Sequence, residues 1–214
     1  MDDAALFAPF EALAASLLPH ALPSEDGAHD IGHLRRVWRN ASAIQAGEGG
    51  DLELLCAAVL LHDSVAVEKN SPLRAQASRL AAEKASGLLR GLGWDEARVT
   101  ATAHAIAAHS YSANIPPETL EARILQDADR LDAIGLTGVA RCFFIAGRMG
   151  SSLYDPRDPM AEHRALDDQR FALDHWETKL LRLAEGFGTA TGAAMARERH
   201  EKLLAFRTAL LEEA

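Results

Sequence analysis

Ten consecutive residues, Leu52-Glu53-Leu54-Leu55-Cys56-Ala57-Ala58-Val59-Leu60-Leu61, are apolar nearly all round when wound as a helix. A helix of that kind has to be buried on most sides, so the rest of the chain must supply packing partners for it. Those partners read as helices too. Nearly every segment of length places apolar residues at helical spacing and is rich in Ala, Leu, Glu and Arg. Alternating Val, Ile and Thr runs bounded by turn dipeptides are missing, and only 6% of residues are aromatic. The expectation is an all-α fold with helices at about 4 to 18, 30 to 46, 51 to 62, 72 to 90, 95 to 109, 117 to 131, 134 to 148, 160 to 184 and 189 to 212. Pro19 and Pro23, the glycines at 47, 49 and 50, Ser71-Pro72, Gly91 and Gly93, and Pro116-Pro117 punctuate them. The stretch GSSLYDPRDP, 150 to 159, lacks helical period. It reads as a connector, with Tyr154 and Arg157 able to overhang a pocket as the sharper alternative.

No repeat, low-complexity tract or linker composition divides the 214 residues, so one domain spanning 1 to 214 is expected. A hydrophobic fraction of 48% with 25% charged residues belongs to a globular protein with a true core. The net charge of −9 argues against binding long nucleic acid, which needs a Lys/Arg surplus on one face, but allows a single nucleotide escorted by metal. Cys56 and Cys142 lie in apolar helical runs and read as two buried thiols rather than a disulfide, which fits a cytoplasmic location. No apolar run reaches the roughly 18 residues a membrane span requires.

The buried run ends in His62-Asp63. A carboxylate and an imidazole at the end of a buried helix both lose solvation, and a bound cation would compensate both. A solvated C-terminal cap is the plainer reading of that dipeptide taken alone. Other groups of the same type occur elsewhere. In His29-Asp30-Ile31-Gly32-His33 the two histidines are four apart, one face of a helix. A zincin would need Glu where Asp30 stands and a further ligand downstream, so that reading fails. His29 and Asp30 serve better as caps of the helix carrying His33. In Ile124-Leu125-Gln126-Asp127-Ala128-Asp129-Arg130-Leu131-Asp132, Asp129 and Asp132 share a face, with Asp127 nearly opposite. Two such aspartates repel unless a cation or donor lies between them; a salt-bridged surface with Arg130 is the plainer alternative. His104 and His109 are five apart, about 140° around a helix, and cannot both face one site. His109, closing an apolar run before a turn, is the better candidate, and His104 reads as a packing residue. Trp38, Trp94 and Trp176 read as core or helix-packing groups.

The ordered set His33, His62-Asp63, Asp129, with the segments HDIGHLRRV, LLHDSV, KNSPLRAQAS, AAHSYS and ILQDADRLDAIG, resembles the HD-domain metal-dependent phosphohydrolases, in particular their small stand-alone bacterial branch. The likeness covers about 28 to 148 strongly, as a helical core on which helices at 160 to 212 would pack, and makes a single HD-type domain of about eight or nine helices the expected architecture. It implies that His33, His62, Asp63 and Asp129 hold one divalent ion (Mn, Mg, Fe, Co, Ni or Zn), with Asp63 able to bridge a second. Asp63 or Asp132 would orient or deprotonate water. Lys69, Arg74, Arg130 and His109 are the candidates for holding substrate, and Arg36, Arg141 and Lys179 are weaker ones. The Gly-Tyr-Pro signature of the cyclic dinucleotide branch is missing. The catalytic Glu that some nucleotidase relatives carry three residues after the pair is replaced by Ala66, with Glu68 a poor substitute. The implied reaction is hydrolysis of a phosphate ester or anhydride, with a nucleotide as substrate and pyrophosphate release from a nucleoside triphosphate as the sharpest form. The rivals are a non-catalytic HD-type regulatory module and a helical interaction protein with incidental His and Asp. Apolar stripes in the last helices could wrap the core or pair two copies.

Overall fold

The apolar run forms helix α3 (Leu52–Leu61), in which every residue from Leu54 to Leu61 is buried. In the computed structural model, which describes residues 3–22, 30–67, 76–110 and 113–213, α3 packs against four helices: α1 (Glu11–Ala21), α2 (Ile31–Glu48), α4 (Ala77–Gly91) and α5 (Glu96–His109). Such enclosure explains why α3 tolerates no polar face. Each fully buried Leu or Val in it contributes roughly 1.5–3 kcal/mol of apolar transfer. Its start is fixed by Asp51, whose carboxylate accepts from the Leu54 backbone N–H at 3.0 Å while Arg98 bridges Asp51 and Glu53. Asp30 and Asp95 cap α2 and α5 in the same way, through His33 N and Arg98 N.

The chain divides into two compact units, Met1–Asp129 and Arg130–Ala214. The first holds a short 3-10 helix, Asp3–Phe7, and α1 to α5; the division falls within α6 (Leu120–Asp132). The second holds α7 (Gly135–Met149), α8 (Asp174–Thr178), a 3-10 turn at Leu180–Ala184 and α9 (Ala190–Glu212), with Trp176, Leu173, Leu180, Cys142 and Leu203 in its core. Nine α-helices and no strand occur among the described residues, so the all-α expectation holds. None of these helices is long and apolar enough to cross a membrane. Cys56 and Cys142 are free, buried thiols; burial pushes Cys56 up to about 12.

The continuous helix expected over 160 to 184 is not formed; only Asp174–Thr178 and the Leu180–Ala184 turn are helical there. From Gly150 to Leu173 the chain runs as turns closed by one bridge between Ser152 and Phe171. Aspartate side chains take the backbone donors a helix would use: Asp158 accepts from Glu162 N and His163 N, and Asp174 accepts from Asp167 N. Arg164 joins the same knot through Asp174 and Asp155. Tyr154 packs on the Trp176 core and Arg157 N bonds Asp155, which makes this stretch a folded connector.

Candidate metal centre

Four segments of the first unit deliver side chains to one place. Asp30 accepts from His33 N at 2.9 Å and thereby holds His33 in the first turn of α2, where its ring is 2% exposed. His62 follows the last residue of α3 and is 1% exposed, and Asp63 extends from it toward solvent with 39% of its side chain accessible. Asp129 comes from α6 and His109 from the last residue of α5. The His33 and His62 Nε2 atoms lie 3.3 Å apart. His33 Nε2 is 3.6 Å from Asp129 Oδ1 and 3.9 Å from Asp63 Oδ2; His62 Nε2 is 3.6 Å from Asp63 Oδ2 and 3.8 Å from Asp129 Oδ1. His109 Nε2 meets the other oxygen of Asp63, Oδ1, at 3.7 Å.

The outer nitrogens settle how these rings are used. His62 Nδ1 donates to Val59 O at 2.8 Å and His109 Nδ1 donates to Ile106 O at 2.6 Å. A carbonyl only accepts, so Nδ1 carries a hydrogen in both rings; in the neutral His62 imidazole Nε2 then presents a lone pair to the cluster, whereas a protonated His109 turns its Nε2–H toward Asp63 Oδ1. With the His62 Nε2 lone pair facing the buried His33 Nε2 at 3.3 Å, a hydrogen or a cation has to lie between them. Donors held about 2.1 Å from a tetrahedral ion stand about 3.4 Å apart, and cis donors of an octahedral one about 3.0 Å. The observed spacings run from 3.3 Å, between these ideals, to 3.9 Å, a few tenths of an ångström beyond the tetrahedral one. The residues therefore fit a divalent ion, in two overlapping donor groups: His33, His62 and Asp129, and His62, Asp63 and His109.

At His62 and Asp63 the electrostatics agree with that geometry, and at His109 they favour a protonated ring facing Asp63. Burial pushes the His62 imidazole below its ordinary value, with Asp63 opposing the shift only in part. At Asp63 burial would raise the carboxyl, but His62, His109 and His33 outweigh it and hold it well below the usual carboxylate range. At His109 burial works against the charged ring, yet Asp63, Asp129 and the Ile106 carbonyl win and raise it above the ordinary histidine value.

Among the described residues none of the remaining candidates is one of these donors. Lys69 and Arg74 lie outside the described residues, as do His29 and Glu68. Asp132 and Arg130 belong to the second unit: Asp132 is 1% exposed and paired with Arg141 at 2.9 Å, while the Arg130 guanidinium donates to Gly186 O and lies over the Phe187 ring. His104 accepts from Glu118 N at 3.0 Å, the satisfied packing role expected of it. Trp38 and Trp176 are core residues, and Trp94 is covered by Arg98. What the linear pattern undervalued is His109, read as a substrate contact and placed here among metal-type donors. Its sequence signals were its position at the end of an apolar run and the AAHSYS segment of the family likeness.

Comparison with known proteins gives the family. The HD domain family model matches residues 30–134, a span that includes His33, His62, Asp63, His109 and Asp129. YpgQ of Bacillus subtilis is 34% identical over 190 residues, covering 86% of this chain and 84% of YpgQ. Its crystal structure in complex with ADP superposes with a TM-score of 0.71 at 30% identity, over 100% of this chain and 97% of that one. An HD-superfamily hydrolase from Bacillus thuringiensis gives 0.72 at 30% identity, over 95% and 96%. From the donor set, the helical fold and these likenesses together, the chain belongs to the HD-domain family and is a hydrolase of the HD superfamily.

Proposed function

We propose that this protein is a metal-dependent phosphohydrolase that cleaves a phosphate ester or anhydride of a nucleotide, with His33, His62, Asp63 and Asp129 holding one divalent ion. The observation that carries the reading is the convergence of two buried imidazole nitrogens and two carboxylates at 3.3 to 3.9 Å. When bound there, a divalent ion would lower the pKa of a coordinated water and neutralise charge developing at phosphorus. The chain's own groups do the rest. Asp63 is split between two tasks, Oδ2 toward the His33 and His62 nitrogens and Oδ1 toward His109. Its 39% exposure leaves it the group best placed to orient an incoming water and accept its proton. His109, anchored through Nδ1, offers Nε2 on the Asp63 side, where a protonated ring can hold a substrate oxygen. Lys69 and Arg74 remain the proposed cationic contacts to phosphate, since a chain of net charge −9 would otherwise repel a polyphosphate.

The nucleotide is supported by the ADP complex of YpgQ, a relative this chain matches along nearly its whole length. Release of pyrophosphate from a nucleoside triphosphate is the sharper form of the proposal. Metal-stripped protein should be resupplied with Mn, Mg, Co or Ni and assayed for phosphate and pyrophosphate release from nucleoside mono-, di- and triphosphates, beside Asp63→Ala. Metal-dependent turnover that disappears in Asp63→Ala is expected. Folded wild-type protein that turns over none of the panel with any ion would instead favour a regulatory module.

A further inference from the structure

The candidate ligands arrive from separate helices, so something must set the distance between those helices to within a few tenths of an ångström. The C-terminus of α5, which ends in His109, shows how. The last four carbonyls of a helix have no intrahelical partner. Here Ile106 O accepts from His109 Nδ1, Ala107 O from Ser78 Oγ at 3.0 Å, and Ala108 O from Gln126 Nε2 at 2.8 Å. Ser78 comes from α4, which brings no candidate ligand; Gln126 comes from α6 and stands three residues before Asp129. Its amide therefore joins the residue preceding one ligand-type side chain to the turn carrying another. On its other flank α6 is held by Asn40, whose Nδ2 donates to Ala128 O at 2.9 Å from α2, the helix of His33.

From this arrangement we infer that Gln126 is a positioning residue that sets the α6 turn carrying Asp129 against the α5 end carrying His109, and so tunes both the ion affinity of the donor set, through Asp129, and the placing of His109 beside Asp63. The inference rests on the metal-dependent reading above for its consequence, but the positioning itself concerns the metal-free chain. Partners at one remove from a metal ligand typically change ion affinity 10- to 100-fold when lost. Ser78 acts as an internal control, because it satisfies the neighbouring carbonyl of the same helix end without touching α6.

The test compares full-length wild type, Gln126→Met and Ser78→Ala. Two readouts are needed: Mn2+ affinity by calorimetry, and the His109 imidazole resonances of metal-stripped protein by long-range nitrogen–proton correlation. Gln126→Met is expected to bind Mn2+ about 10- to 100-fold more weakly and to shift the His109 resonances. Ser78→Ala should lose comparable thermal stability while keeping both close to wild type. Unchanged His109 resonances in Gln126→Met, or equal losses of affinity in both variants, would overturn the inference. A wild type that takes up no ion would sink the metal reading alone, since the imidazole spectra still decide whether Gln126 positions His109. Gln126→Glu, which keeps the shape and loses the donor, replaces the methionine variant should that one not fold.

Discussion

Adding a divalent ion to metal-stripped protein should raise its melting temperature by an amount the structure lets one calculate. On the proposed reading the ion binds the folded donor set of His33, His62, Asp63 and Asp129 and has no comparable site in the unfolded chain, so its binding energy would appear as stability. At a free ion concentration of 100 times Kd the gain is about 2.7 kcal/mol. Unfolding entropy near 2.1 cal/mol/K per residue gives about 270 cal/mol/K for the unit Met1–Asp129. The expected shift is then about 10 °C if that unit melts on its own, and about 6 °C if all 214 residues melt together. Asp129→Ala removes one donor of the His33 and His62 group. If affinity falls about 100-fold, the same ion concentration yields only about 0.4 kcal/mol, or about 1.5 °C. Scanning calorimetry with Mn, Mg, Fe, Co, Ni and Zn measures both. A wild type that shifts by less than 1 °C with all six, or an Asp129→Ala variant that shifts as much as wild type, would refute the reasoning that these side chains form an ion site.

Two further outcomes concern the second unit. A Cβ at Gly138 would run into Ala133 O, a backbone atom that cannot swing aside, so Gly138→Ala should cost about 1–3 kcal/mol in chemical denaturation. Asp174 is buried, which alone would raise its carboxyl, yet Arg164 and the Asp167 N–H outweigh burial and hold it below its ordinary 3.8. Its contribution is therefore present in full above pH 3.8 and is lost as pH falls through the lower folded value. Acid titration of denaturant midpoints should show that loss in wild type and not in Asp174→Asn.

Much of the first unit can be read in the linear chain because its determinants are local. Asp30, Asp51 and Asp95 each stand three residues before the backbone N–H they cap, and the apolar run of α3 announces a surrounded helix. The segment after Gly150 misled for a physical reason. Residues 160 to 184 carry apolar side chains at helical spacing, but Asp158, Asp174 and Arg164 close side-chain bonds that compete with a helical ladder, and spacing alone carries no record of them. Gln126 gave no signal either, because an amide in a helix reads as solvated surface until its partner from another helix is known.

By itself the sequence determined which chemistry is on offer: two imidazoles and two carboxylates, each at the edge of an apolar helix, where desolvation makes a cation the natural companion. Only the tertiary structure decided that His33 and His62 meet at 3.3 Å, that the two oxygens of Asp63 face different partners, and that His109 joins the cluster while Asp132 turns to Arg141. The donors sit on segments separated by some 20 to 50 residues of chain, and distances between such segments are set by how whole helices pack, which no local pattern encodes.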